Sequence, residues 1–120
     1  MEQHEITAPI PLLDEQGNLT EAGYARRLLP VYDRSKVKGG LTRLKEWDYY
    51  LVMNDHFALA LTIADNSYMG LDSISLLDFD QRWQVTKSPM RILPMGRTGL
   101  PSSSEQGDTA VSGKGYGLFF

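Results

Sequence analysis

Between Arg43 and Asp80 the chain alternates bulky apolar residues with smaller or polar ones, in runs closed by polar turns. From Trp47 to Met53 the large apolar side chains fall on odd positions: Trp47, Tyr49, Leu51 and Met53. From Phe57 to Ile63 they fall on odd positions again, and the even positions Ala58, Ala60, Thr62 and Ala64 are small. A period of two marks β-strands, so the pattern predicts an antiparallel meander. Register decides whether the two bulky rows meet, because a slip of one residue moves a whole row to the other face. A two-residue loop at Asn54-Asp55 pairs Met53 with His56 and separates the rows. A three-residue loop, Asn54-Asp55-His56, pairs Met53 with Phe57 and Leu51 with Leu59, and gathers all eight residues on one face. The last residue of such a loop adopts the left-handed region, which His tolerates better than most. The three-residue loop is therefore the expectation, with Asp48 opposite Thr62 and Glu46 opposite Ala64.

A third strand is expected from near Tyr68, after the Asp65-Asn66-Ser67 turn, with Met69 and Leu71 on the bulky face. The phase then breaks, because Ile74 and Leu76 are even while Leu77 and Phe79 are odd. Either both faces become buried here or a bulge near Asp72-Ser73 shifts the register, and the bulge is the expectation. Trp83 to Lys87 and Met90 to Met95 read as further strands, interrupted by Ser88-Pro89. Upstream, Met1 to Leu13 is extended, and Pro9 and Pro11 confine it to an edge or a strap. Asp14 to Asn18 is turn chemistry, Thr20 caps a short helical turn through Ala25, and Leu28 to Tyr32 is a short extended piece. Gly39-Gly40 forms a joint ahead of the meander. Gly96 to Asp108, rich in Gly and Ser, reads as a long surface loop or mobile flap. The chain then ends on Leu118-Phe119-Phe120, an apolar triplet resembling the middle of a strand. The fold class is all-β, an antiparallel meander forming part of a barrel or β-sandwich, in one β-rich domain over residues 1–120.

Composition narrows the classes. One core suits 120 residues, and 42% hydrophobic with 22% charged residues is ordinary for a globular protein. A net charge of -3 leaves no basic footprint, so nucleic acid is not an expected partner. There is no cysteine, which removes disulfides and thiolate metal sites. The acidic start Met1 to Glu5 lacks a signal peptide's basic and apolar regions, and no apolar run reaches the roughly 20 residues of a membrane span. The expected location is cytoplasmic, and the sequon Asn18-Leu19-Thr20 is incidental.

Four constellations invite a chemical reading. Glu46 and Asp48 share a strand face with Tyr50, and a carboxylate in an apolar barrel mouth would act as a general acid; their structural role is to make a solvated face polar. Trp47, Tyr49, Phe57 and Leu59 would line an apolar ligand cavity, where a packed core is the commoner use of such a row. Asp72, Asp78 and Asp80 lack calcium-loop spacing, and His4 and His56 are the only histidines, so no metal site or cofactor is expected. Gly113-Lys114-Gly115-Tyr116-Gly117 lacks the phosphate-loop spacing and has no room for a following helix.

Several stretches together resemble a known family. They are His4-Glu5-Ile6; Pro11 to Asp14 with Gly17-Asn18-Leu19; Gly23 to Arg27; Arg43 to Tyr50; Ala58 to Asp65 with Tyr68 and Gly70; and Leu100 to Ser104 with Gly107-Asp108. The run Lys45-Glu46-Trp47-Asp48-Tyr49-Tyr50 is the specific part. The set resembles the N-terminal part of the domain of unknown function 2804 family over residues 4–108, and the Gly113 to Phe120 tail departs from its pattern. The resemblance implies a chain that is an N-terminal fragment of a longer protein; for such a fragment, the apolar end Leu118-Phe119-Phe120 and the unclosed meander edge predict self-association. It further suggests a distant likeness to lipocalin-like β-barrel enzymes of the hydroxyneurosporene synthase and tocopherol cyclase type, which is fold-level analogy. The functional expectation is a soluble β-barrel module binding an apolar small molecule. The alternatives are an enzyme modifying an isoprenoid or lipid with a carboxylate acid, and a structural fragment completed by another chain.

Overall fold

In the computed structural model, which describes residues 3–120, the chain forms two compact units. One joins the N-terminal part up to Gly39 with Pro101–Gly107; the other comprises Gly40–Leu100 and Asp108–Phe120. The boundary falls at the expected Gly39-Gly40 joint.

In the first unit the N-terminal strap runs parallel to the segment around Tyr24 to Val31. Strand β1 (Ile10–Pro11) pairs with β2 (Pro30–Val31), and an isolated bridge joins Glu5 to Tyr24. Both prolines lie in two-residue strands, where a missing donor costs little. Gly23 permits the close approach, since a Cβ there would sit 2.6 Å from the His4 carbonyl oxygen. The helical turn expected from Thr20 to Ala25 does not form. The Tyr24 N–H donates to His4 O at 3.0 Å and its carbonyl accepts from Ile6 N–H at 2.8 Å, so both groups are committed to the strap. The helical turn among the described residues is instead a 3₁₀ turn at Arg34–Lys36, where the Asp33 carboxylate accepts from Ser35 N–H.

The second unit is a five-stranded antiparallel sheet. Strands β3 (Glu46–Met53), β4 (Phe57–Asp65), β5 (Met69–Asp78) and β6 (Trp83–Lys87) follow one another in order, and β7 (Met90–Ile92) extends the β5 edge beside Met69 to Leu71. The meander is the one expected; its register is not. Met53 lies opposite Ala58, Leu51 opposite Ala60, Tyr49 opposite Thr62 and Trp47 opposite Ala64. The Asn54 side chain explains the difference. Its Oδ1 accepts from both His56 N–H and Phe57 N–H at 2.8 Å, while its own N–H donates to Phe57 O at 2.9 Å. Asn54 and Phe57 thus face each other across a two-residue Asp55-His56 turn, and the bulky rows go to opposite faces.

The first face carries Trp47, Tyr49, Leu51 and Met53 beside Ala58, Ala60, Thr62 and Ala64. The second carries Glu46, Asp48, Tyr50 and Val52 beside Phe57, Leu59, Leu61 and Ile63. The expected bulge near Asp72-Ser73 is also absent. β5 pairs with β4 without interruption from Gly70 to Asp78, so Leu71 and Leu77 belong to the first face while Ile74 and Leu76 belong to the second. The phase break is a change of apolar face, not of register.

Strands β8 (Ala110–Gly113) and β9 (Tyr116–Phe119) form a separate hairpin. Gly115 turns it at φ +81°, and a Cβ on Gly113 would lie 2.2 Å from the Tyr116 ring, so the glycines meet geometric needs of this hairpin. Three contacts fix the hairpin to the second face. Thr109 donates its hydroxyl to Asp48, Tyr116 donates to Asp72, and the rings of Tyr50 and Phe120 lie 4.7 Å apart. Asp48, Ile63 and Asp72 are directly opposed across β3, β4 and β5, and Ile63 and Asp72 are fully buried. The core of this unit therefore sits where the hairpin anchors. Among the described residues the sheet is open, with β3 and β6 at its borders and no closure into a barrel.

Candidate functional site

The densest polar arrangement is built around Arg91. Its Nε donates to both Asp72 carboxylate oxygens at 2.8 and 3.1 Å, and a terminal nitrogen donates to Asp72 Oδ1 at 3.0 Å and to Ala64 O at 3.3 Å. The other terminal nitrogen donates to Thr98 Oγ1 at 3.0 Å, and Thr98 in turn donates to Asp65 Oδ2 at 2.9 Å. Tyr116 completes the cluster with its 2.8 Å bond to Asp72 Oδ2. The sheet brings these residues together because Arg91 lies opposite Gly70, which has no side chain to block the guanidinium's path to Asp72.

Electrostatically the cluster is closed. Burial pushes the Asp65 carboxyl up, but hydrogen bonds from Gly96 N–H, the Thr98 hydroxyl and the amides of Ser67 and Thr98 outweigh it and hold the group below its ordinary value. Burial, followed by the bond to the Asp72 carboxylate and its charge, raises Tyr116 above the ordinary phenol value against the opposing pull of Arg91. Both Asp72 oxygens accept from charged or phenolic donors, leaving no open base. This arrangement clamps β5, β7, the Gly96–Leu100 loop and the hairpin together; it is not poised for proton transfer. None of its pairings was legible in the sequence, since Asp72 is 19 residues from Arg91 and 44 from Tyr116.

The first face offers a different geometry. Trp47, Tyr49, Leu51 and Met53 are all exposed and form a wall along β3. Beside the wall lies a floor of Ala60 and Thr62, continued on β5 by Ser75 and Ser73. Leu71 next to Ala64 and Leu77 next to Ala58 flank its two ends, and both alanines are buried. The far side is hydroxylic: Ser75 bonds Thr86 at 2.8 Å and Ser73 bonds Ser88 at 3.0 Å. A bulky row beside a small row makes a trough whose walls differ in polarity.

The residues named from sequence are thus divided. Trp47 and Tyr49 share the trough, whereas Phe57 and Leu59 lie on the second face. Glu46 and Asp48 are on the second face too, opposite Asp65 and Ile63 and not the expected Ala64 and Thr62, with Asp48 bound to Thr109. Asp78 caps the β5–β6 turn by accepting from Gln81 N–H at 2.8 Å, and Asp80 pairs with the exposed His56 at 2.8 Å. Asp72, Asp78 and Asp80 therefore have three separate partners, and no cluster of metal-ligating side chains occurs among the described residues. Thr98 anchors the start of the Gly96 to Asp108 segment, which otherwise carries no strand.

The first unit has a groove of about 610 Å³ lined by Ile10, Pro11, Leu13 and Val31, with Glu15 and Lys36 paired at its rim. The nearby Asp14 and Asp33 are held in their own turns by Asn18 and Ser35, whose hydrogen bonds lower both carboxyls.

These features define an all-β protein built on an open antiparallel meander, with a hairpin clamped to one face. The chain belongs to the family described as Domain of unknown function (DUF2804), which it matches over residues 3–120. The match includes the Gly113 to Phe120 tail, so the expected departure of the tail from the family pattern does not occur. Neither the curated proteins nor the solved structures contain a match to this chain.

Proposed function

We propose that this chain is a binding module that holds an elongated apolar small molecule in the trough of the first face. The observation that carries the reading is the exposed Trp47–Met53 wall standing beside the Ala60–Thr62 floor. Small floor residues leave room that a packed core would fill, and aromatic walls give large apolar contact area. The floor from Ala58 to Ala64 spans about 20 Å at the rise of a strand, a length suited to an extended chain more than a compact ring. The hydroxyls of Ser73, Ser75 and Thr86 favour a ligand with one polar edge. A carboxylate-acid enzyme is the weaker reading, because Glu46 and Asp48 lie on the face away from the wall.

The test uses Trp47 as reporter. Trp83 lies on the opposite face, across from Asp78, so Trp83→Phe leaves a single tryptophan in the trough. Titration with a long-chain isoprenoid alcohol and with a saturated fatty acid should shift and enhance Trp47 emission. Filling the floor with Ala60→Leu should weaken binding about tenfold, as expected for the loss of one or two methylene-sized contacts. No spectral change, or equal binding by the Ala60→Leu protein, would overturn the proposal.

A further inference from the structure

The free edge of β3 has the features of a pairing surface. Asn54 N–H donates to Phe57 O, so Asn54 and Phe57 form a hydrogen-bonded pair. Such pairs alternate with non-bonded ones along an antiparallel ladder, so Asp48, Tyr50 and Val52 turn their N–H and C=O toward β4. Trp47, Tyr49, Leu51 and Met53 turn theirs outward, and no backbone partner for them occurs among the described residues. Edge strands are normally blunted by charged side chains, above all lysine, by proline, by a bulge or by very short length. β3 is eight residues long, pairs with β4 without interruption and has no lysine, proline or bulge; its charges are confined to Glu46 and Asp48 at one end, leaving Tyr49 to Met53 uncharged.

We infer that β3 pairs edge to edge with β3 of a second copy of this chain, antiparallel about a twofold axis at Tyr50. Self-complementarity is what selects a second copy. With Tyr50 on the axis, Trp47 meets Met53 and Tyr49 meets Leu51 of the other chain, so each outward-facing residue from Trp47 to Met53 sets an apolar side chain opposite another apolar one. Asp48 then lies opposite Val52 and Glu46 opposite Asn54, so no carboxylate faces another. Shifting the axis to Asp48 would oppose the two Asp48 carboxylates, which is unfavourable. The contact is isologous and closes at two copies. It joins the two exposed Trp47–Met53 rows into one apolar ridge while leaving both first faces open, so it stands apart from the ligand proposal.

Sedimentation of the chain at low micromolar concentration should give a dimer. Tyr49→Lys combined with Leu51→Lys sets ammonium groups opposite one another across the axis and should return the mass to that of a monomer, with the circular dichroism of the sheet retained. The chain has no cysteine, so single cysteines report the register. Tyr50→Cys should form an intermolecular disulfide under mild oxidation, because its twofold mate occupies a non-hydrogen-bonded pair with Cα atoms about 4.5 Å apart. Leu51→Cys, offset from its own mate, should cross-link far less. A wild-type monomer would overturn the inference. So would larger association, or equal cross-linking at both positions, since these indicate contact through the apolar faces.

Discussion

The Tyr116 phenol donates a 2.8 Å hydrogen bond to Asp72 Oδ2, tying the C-terminal hairpin to β5 across 44 positions of sequence. The same carboxylate receives the Arg91 guanidinium, so one fully buried aspartate joins three segments that are distant in the chain. Tyr116, Arg91 and the neighbouring Asp65–Thr98 anchor each respond to a different chemical perturbation.

The Tyr116 attachment is sensitive to alkali. Its folded value is raised, first by burial and then by Asp72, so the fold favours the protonated phenol. This contribution is complete below the ordinary phenol value of about 10 and is lost as pH rises through the raised folded value. Tyr116→Phe should cost about 1.5 kcal/mol at neutral pH, the low end for a bond to a charged acceptor because Tyr116 is only half-buried. Urea melts of both proteins from pH 7 to 11.5 should show the gap between them narrowing at the alkaline end. A constant gap would mean that the hydroxyl contributes through packing alone.

The Arg91 attachment tests whether Asp72 depends on its partner. Arg91→Leu leaves a fully buried carboxylate with Tyr116 as its remaining side-chain donor, and should destabilise the unit by about 3–5 kcal/mol. Removing the carboxylate as well, with Asp72→Leu, should recover much of that loss, because an apolar pair replaces an uncompensated charge. Equilibrium unfolding of the two single variants and the double variant closes the cycle. Strict additivity would mean that the two side chains act independently.

Asp65 makes the loop anchor acid-sensitive. Although burial opposes it, the bonds from Gly96, Thr98 and Ser67 hold the carboxyl below its ordinary value. Stability from this group is therefore present above the ordinary carboxylate value of about 3.9 and disappears as pH falls through the depressed folded value. Thr98→Val removes one donor to Asp65 and one acceptor for Arg91. The variant should unfold at a higher pH than the wild type in an acid titration followed by near-ultraviolet circular dichroism. An unchanged acid midpoint would separate Asp65 from the acid transition.

The strands were legible because period-two alternation is local: the runs from Trp47, Phe57, Tyr68 and Trp83 all became strands at or near the expected places. Their register was not, because the parity of bulky residues does not say whether the two rows share one face. Here one row, Leu59 to Ile63, lies on the hairpin's face, while Trp47 to Met53 stays exposed on the other. The clamp was hidden for a related reason. Asp72, Arg91 and Tyr116 each look like an isolated polar residue, and only the pairing of β7 with β5 brings two of them together. Glu46 and Asp48 share a face away from Trp47 and Tyr49 by alternation alone, and the register changed only their neighbours, which are Asp65 and Ile63 in place of Ala64 and Thr62.

Asn54 was the one local signal for the register. An Asn at a hairpin entrance can substitute its side-chain oxygen for a backbone acceptor, and here it takes two N–H groups at 2.8 Å, from His56 and Phe57. Asn54→Ala leaves both donors to solvent and should cost about 1 kcal/mol, by analogy with the loss of a helix cap. Asn54→Asp keeps an acceptor in the same place and should retain most of the stability. The register can be read directly by nuclear magnetic resonance, because non-hydrogen-bonded antiparallel pairs bring their α-protons close together. Leu51 with Ala60 and Met53 with Ala58 should show strong cross-strand contacts between α-protons in the wild type and in Asn54→Asp. In Asn54→Ala the same contacts should persist, weakened near the turn, because the burial of Ile63 and the Asp48–Thr109 bond still fix the faces farther along the strands. A strong α-proton contact between Leu51 and Leu59 would instead mean that the hairpin had slipped by one residue, reuniting the bulky rows and placing the turn residue alone in control of which face Trp47 occupies.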